Sequence, residues 1–74
     1  MLRDGRNDHF GFLQRAVDQL PVRLREALVL FSLEGKSQRE TADILGTTPK
    51  TVEFRVYHAK NKLRELLRDI LTNE

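Results

Sequence analysis

Two helix starts separated by a single glycine constrain this chain more than any other feature. The stretch Ser37–Leu67 reads SQRETADILGTTPKTVEFRVYHAKNKLRELL. Ser37-Gln38-Arg39-Glu40 has the Ser-x-x-Glu spacing of a capping box, in which hydroxyl and carboxylate each satisfy an orphan backbone N–H. Thr48-Pro49 places a hydroxyl at an N-cap and proline at the first helical position, where its missing N–H is harmless. Between them Gly46 follows Leu45 at a helix C-terminus, where a residue lacking Cβ can turn left-handed. A short helix, a tight turn and a longer helix make the helix-turn-helix plan, which presents its second helix to the major groove of DNA.

The rest of the chain reads as helix, with no strand signal. A first helix is expected from Asn7 or Asp8 to Gln19, with Phe10, Leu13, Val17 and Leu20 inward. Gly11 weakens its first turn by about 1 kcal/mol relative to alanine. Pro21 opens a second helix whose stripe is Leu24, Ala27, Leu28 and Phe31, and Gly35 caps its end. The third helix runs from Gln38 to Leu45, with Ala42 and Leu45 inward. The fourth runs from Pro49 to about Leu71. Its residues Val52, Val56, Ala59, Leu63, Leu66 and Ile70 alternate steps of four and three, the mark of a buried seam. The predicted fold is all-α, one compact four-helix domain over residues 1–74, with residues 1–6 expected as a disordered tail or linker.

Composition excludes several functions. At 74 residues without cysteine, the chain has neither disulfides nor thiol chemistry, and it lies near the lower size limit for folding alone. His9 and His58 have no ligand-like spacing, so no metal is expected. No nucleophile–base pair, carboxylate pair or phosphate-cradling glycine loop can be assembled, so neither an enzyme nor a cofactor or small-molecule substrate is expected. No apolar run reaches membrane-span length and no signal peptide opens the chain, so the expected location is the cytoplasm.

Charge is uneven. Residues 50–68 carry six basic groups against two acids, and the remainder seven against nine. Such asymmetry marks either a footprint for a polyanion or a solvated helix face. At about 100° per residue, Phe54 and Asn61 lie opposite the seam, with Lys50, Tyr57 and His58 beside them and Thr51 and Glu53 further round. Lys50 and Thr51 are candidates for base edges or phosphates, beside the capping Thr48, and Lys60 for the DNA backbone. Lys36, Ser37 and Arg39 converge on a helix N-terminus that can hold a phosphate. Arg55, at the edge of the core, suits an ion pair to a neighbouring helix or a phosphate. Phe54 and Tyr57 can touch thymine methyls or form an apolar patch for a protein partner.

From Leu20 to Leu67 the sequence resembles the C-terminal promoter-recognition domain, region 4, of bacterial sigma factors, especially the extracytoplasmic-function group. The resemblance rests on Leu20-Pro21, Arg25-Glu26, Leu33-Glu34-Gly35-Lys36-Ser37, Glu40, Ala42, Ile44-Leu45-Gly46, Thr51-Val52, Arg55 and Ala59-Lys60-Asn61-Lys62-Leu63. It implies binding of the −35 promoter element, docking on the β flap of RNA polymerase, and capture by an anti-sigma factor. The alternative is a sigma-like protein-interaction module that needs no DNA. Response-regulator output domains share the four-helix plan, but the basic C-terminal seam is closer to the sigma pattern. Sigma factors of this group also have an N-terminal domain that melts the −10 element, so the chain is expected to be an excised domain, the alternative being a free-standing sigma-like protein. Three departures stand out. Glu53-Phe54 replaces a basic or small polar pair, His58 replaces a frequent arginine, and Thr41 replaces an aliphatic residue, which is expected to loosen the third helix.

Overall fold

The computed structural model describes the backbone of residues 5–72 and the side chains of residues 11–72. Its described residues form four α-helices and no strand: α1 Gly5–Asp18, α2 Val22–Leu28, α3 Gln38–Leu45 and α4 Pro49–Thr72. The first helix therefore begins earlier than the spacing of apolar residues indicated. The remainder of the expected tail, and the side chain of Phe10, lie outside the described residues. Ala16, Val17 and Leu20 are buried and Leu13 half-buried. Ala16 completes an inward face that the larger residues had marked only in part.

Pro21 is the N-cap of α2 rather than its first residue, and its carbonyl accepts the Arg25 N–H at 2.9 Å. Arg25 also donates from Nη1 to the Asp18 carbonyl at 3.1 Å, tying α2 to the end of α1. A cation there complements the negative pole of the helix dipole. Beyond Leu28 the helix widens into a π-helical turn, Val29–Leu33, closed by the Glu34 N–H on the Val29 carbonyl at 2.8 Å. Gly35, with φ of 75°, ends the element as predicted, and the Lys36 N–H then reaches the Leu30 carbonyl at 3.0 Å.

The helix-turn-helix forms where the capping signals lie. Ser37 Oγ accepts the Glu40 N–H and Glu40 Oε1 accepts the Ser37 N–H, both at 3.0 Å. At the other end Gly46 adopts φ of 69°, and the Thr47 N–H closes on the Ala42 carbonyl at 2.9 Å. The Gly46 N–H points to the same carbonyl, and such a left-handed helix end is completed without strain only by a residue tolerant of that region.

The core lies between α2, α3 and α4. Leu20, Ala27, Leu28, Ala42, Val52, Val56 and Ala59 are buried together, with Leu24, Phe31, Leu45, Leu63 and Leu66 packed against them. Three of these buried residues are alanines, so helix axes can approach closely. The α4 seam is deepest over its first three turns; Leu63, Leu66 and Ile70 are half-buried.

Thr41 is fully buried, and its Oγ1 has no hydrogen-bond partner among the described residues. A buried hydroxyl left unpaired costs about 1–3 kcal/mol. Thr41→Val keeps the branched shape and removes the orphan. It is expected to stabilise the domain by about 1 kcal/mol, read as a melting temperature higher by about 4–8 °C.

Candidate nucleic-acid interface

The start of α4 is built by threonine chemistry. Thr48 Oγ1 accepts the Thr51 N–H at 3.2 Å and donates to Thr51 Oγ1 at 3.0 Å. The N-cap is thus filled, and the two hydroxyls are held together at the head of α4. Thr48 and Lys50 are exposed and Thr51 half-buried.

From this start α4 has two unlike sides. Val52, Val56 and Ala59 are buried, whereas Phe54 is 62% and Tyr57 63% exposed. Glu53, His58 and Lys60 are exposed with them. Lys50, Glu53, Phe54 and Tyr57 recur at i, i+3, i+4 and i+7, one face of a helix. With Thr51 they line an open concavity of about 520 Å³. The Phe54 and His58 rings lie 4.2 Å apart and tilted by 58°, and Tyr57 meets His58 edge-on at 5.3 Å. These contacts hold the Phe54 ring over the helix surface without covering it.

The α3 N-terminus is a weaker anion site than its residues suggested. The capping box takes the N–H groups of Ser37 and Glu40, and it seats the Glu40 carboxylate at the positive end of the helix. The Gln38 and Arg39 N–H groups remain for an outside acceptor. Lys36 is half-buried and Arg39 exposed. A phosphate there meets two cations and one opposing acid.

Arg55 is half-buried at the edge of the core, and no hydrogen bond or ion pair with a described residue engages it. Further along, Arg64 Nη1 donates to Asn61 Oδ1 at 3.1 Å. That pairing holds Asn61, a residue on the side opposite the seam that carried no role in the sequence. No group of three or more His, Asp or Glu among the described residues could hold a metal. No described helix is long and apolar enough to cross a membrane.

The arrangement can accept a polyanion along one helix. A cation and a threonine hydroxyl sit at its N-terminal end, apolar rings follow one turn on, and a buried opposite edge fixes its orientation.

Comparison with known proteins gives this arrangement a setting. A sequence model described as Sigma-70, region 4 matches residues 13–63. The ECF RNA polymerase sigma factor SigE of Mycolicibacterium smegmatis is 40% identical over 55 residues, 74% of this chain and 21% of that protein. The ECF RNA polymerase sigma factor EcfG of Rhodopseudomonas palustris is 38% identical over 65 residues, 85% of this chain and 36% of that protein. The RNA polymerase sigma factor SigV of Bacillus subtilis is 34% identical over 65 residues, 85% of this chain and 39% of that protein. The chain thus spans well under half the length of these relatives. No solved structure gives a significant match.

Proposed function

The chain belongs to the sigma-70 region 4 family, and on that footing we propose that it recognises the −35 element of a promoter as part of a sigma factor. The observation that carries this reading is the sidedness of α4, buried along Val52, Val56 and Ala59 and open along Lys50, Phe54 and Tyr57. A helix is about 10–12 Å across and the major groove about 12 Å wide, so the open side can enter it. In this reading Thr51, Glu53 and Phe54 face base edges, and Lys50 lies where it meets the flanking phosphates as well. Tyr57, His58 and Lys60 follow the groove outward, and Lys36, Ser37, Arg39, Thr48 and Arg55 hold phosphates.

RNA polymerase is the second partner in this proposal, through the β flap. The exposed apolar side chains Leu33 and Ile44 lie off α4 and remain available for it while DNA is bound. An anti-sigma factor would compete for the same surfaces, in the cytoplasm where the chromosome lies.

The test is binding to promoter duplexes across a salt series. Lys36, Arg39, Lys50, Arg55 and Lys60 give five candidate phosphate contacts, and affinity is expected to fall by about 10²–10³ between roughly 50 and 200 mM salt. Binding that ignores salt, or no binding to any duplex, would overturn the proposal. The exposed cluster of Phe54, Tyr57 and His58 favours a second reading, a module that binds protein alone. Phe54→Ser separates the two: duplex binding kept or improved with partner binding lost supports the protein module.

A further inference from the structure

Glu53 is the residue least suited to a surface that merely grips DNA. Its carboxylate is exposed on the same concavity as Lys50, Phe54 and Tyr57, and no described residue donates to it or pairs with it. Facing a polyanion, an unpaired carboxylate is repelled unless its oxygens meet donors. In the major groove the only base-edge donors are the amino groups of cytosine and adenine. Adenine sets its N7 acceptor beside that amino group, so a second carboxylate oxygen meets a lone pair there. The adenine amino group lies between two acceptors, its own N7 and thymine O4, whereas the cytosine amino group has guanine O6 on one side only.

Phe54 has the opposite chemistry, with neither donor nor acceptor. The apolar feature of the major groove is the thymine methyl. The His58 ring at 4.2 Å restrains the Phe54 ring before any ligand arrives, so less side-chain freedom is lost when it packs on a base.

We infer that Glu53 and Phe54 are specificity residues, Glu53 reading a cytosine through its amino group and Phe54 a thymine through its methyl. Adjacent positions on one helix place the two bases within about two base-pair steps of each other, at 3.4 Å per step. The inference rests on the proposal that α4 enters the major groove.

Selection from a random duplex pool with the unaltered chain, Glu53→Gln and Phe54→Ala tests it, followed by affinity measurements on the selected site. The unaltered chain is expected to enrich cytosine and thymine at neighbouring positions. Glu53→Gln is expected to change the cytosine to adenine, since glutamine matches the adenine donor–acceptor pair. Replacing the cytosine pair should weaken the unaltered chain by about tenfold, within the range for one wrong base pair. Replacing the thymine by deoxyuracil should weaken it by about fourfold, the worth of one buried methyl, and leave Phe54→Ala unchanged. A motif that Glu53→Gln leaves unaltered, or a site indifferent to deoxyuracil, overturns the inference while DNA binding stands. No motif from any of the three chains, with no salt-dependent binding, overturns the parent proposal and this one together.

Discussion

Val52→Asp is expected to leave the chain unfolded at room temperature. Val52 is 0% exposed and, with Thr41, is among the largest fully buried side chains. It packs in the cluster that joins α2, α3 and α4 through Ala27, Leu28, Ala42, Val56 and Ala59. Losing the buried valine removes about 1.5–3 kcal/mol of transfer free energy. A carboxyl group in its place has no partner, and burying it costs several kcal/mol more, whether it ionises or stays protonated. A domain of this size has about 4–11 kcal/mol of total stability, so the two losses consume most or all of it. Far-UV circular dichroism should show lost helix and no cooperative melt. Phe54→Asp, two residues on and outward, should keep both within about 0.5 kcal/mol of the unaltered chain. A cooperative melt of Val52→Asp near that of Phe54→Asp would mean that α4 does not bury this edge.

What was legible in the sequence was what local chemistry decides. Capping at Ser37 and Thr48 needs only neighbouring residues, so both helix starts appear where the hydroxyls lie. Gly35 and Gly46 mark chain reversals because φ above zero has few other tenants. The sidedness of α4 was legible for a related reason: twenty-four helical residues give periodicity several turns in which to declare itself.

Other features had no such signal. The π-helical turn lies in Ala27–Leu33, an almost continuous apolar run in which no period can be read. The burial of Ala16 has no mark in the sequence, because alanine suits either side of a helix. Arg25 reaching the Asp18 carbonyl, and the unpaired Thr41 hydroxyl, depend on how helices meet rather than on spacing along one of them. Within the interface, residue types and faces were readable, but ring contacts such as Phe54 on His58 are settled by rotamers. The same holds for Glu40. Its capping role was written in the spacing, whereas its opposition to a bound phosphate follows from where the carboxylate comes to rest.

Lys50→Glu is expected to move folding and DNA binding in opposite directions. Lys50 is the second residue of α4, and the first turn of that helix contains no acid. The helix dipole places a partial positive charge at this end, so lysine is unfavourable there and glutamate favourable, by about 0.3–1 kcal/mol each. The variant should therefore melt a few degrees higher. Binding should suffer, because one cation is lost and one anion gained on the exposed first turn. Release of condensed counterions scales affinity with salt to a power of about 0.9 per phosphate neutralised, worth about fivefold per charge near 0.15 M. Reversal changes two charges, so affinity should fall by about thirtyfold and the logarithmic salt slope by about one to two. Fluorescence anisotropy at several salt concentrations, with thermal melts of the same preparations, measures both effects. A loss under threefold with an unchanged slope would show that the first turn of α4 faces away from DNA. The fold offers no reason for a cation beside a positive helix end; a duplex in front of that end does.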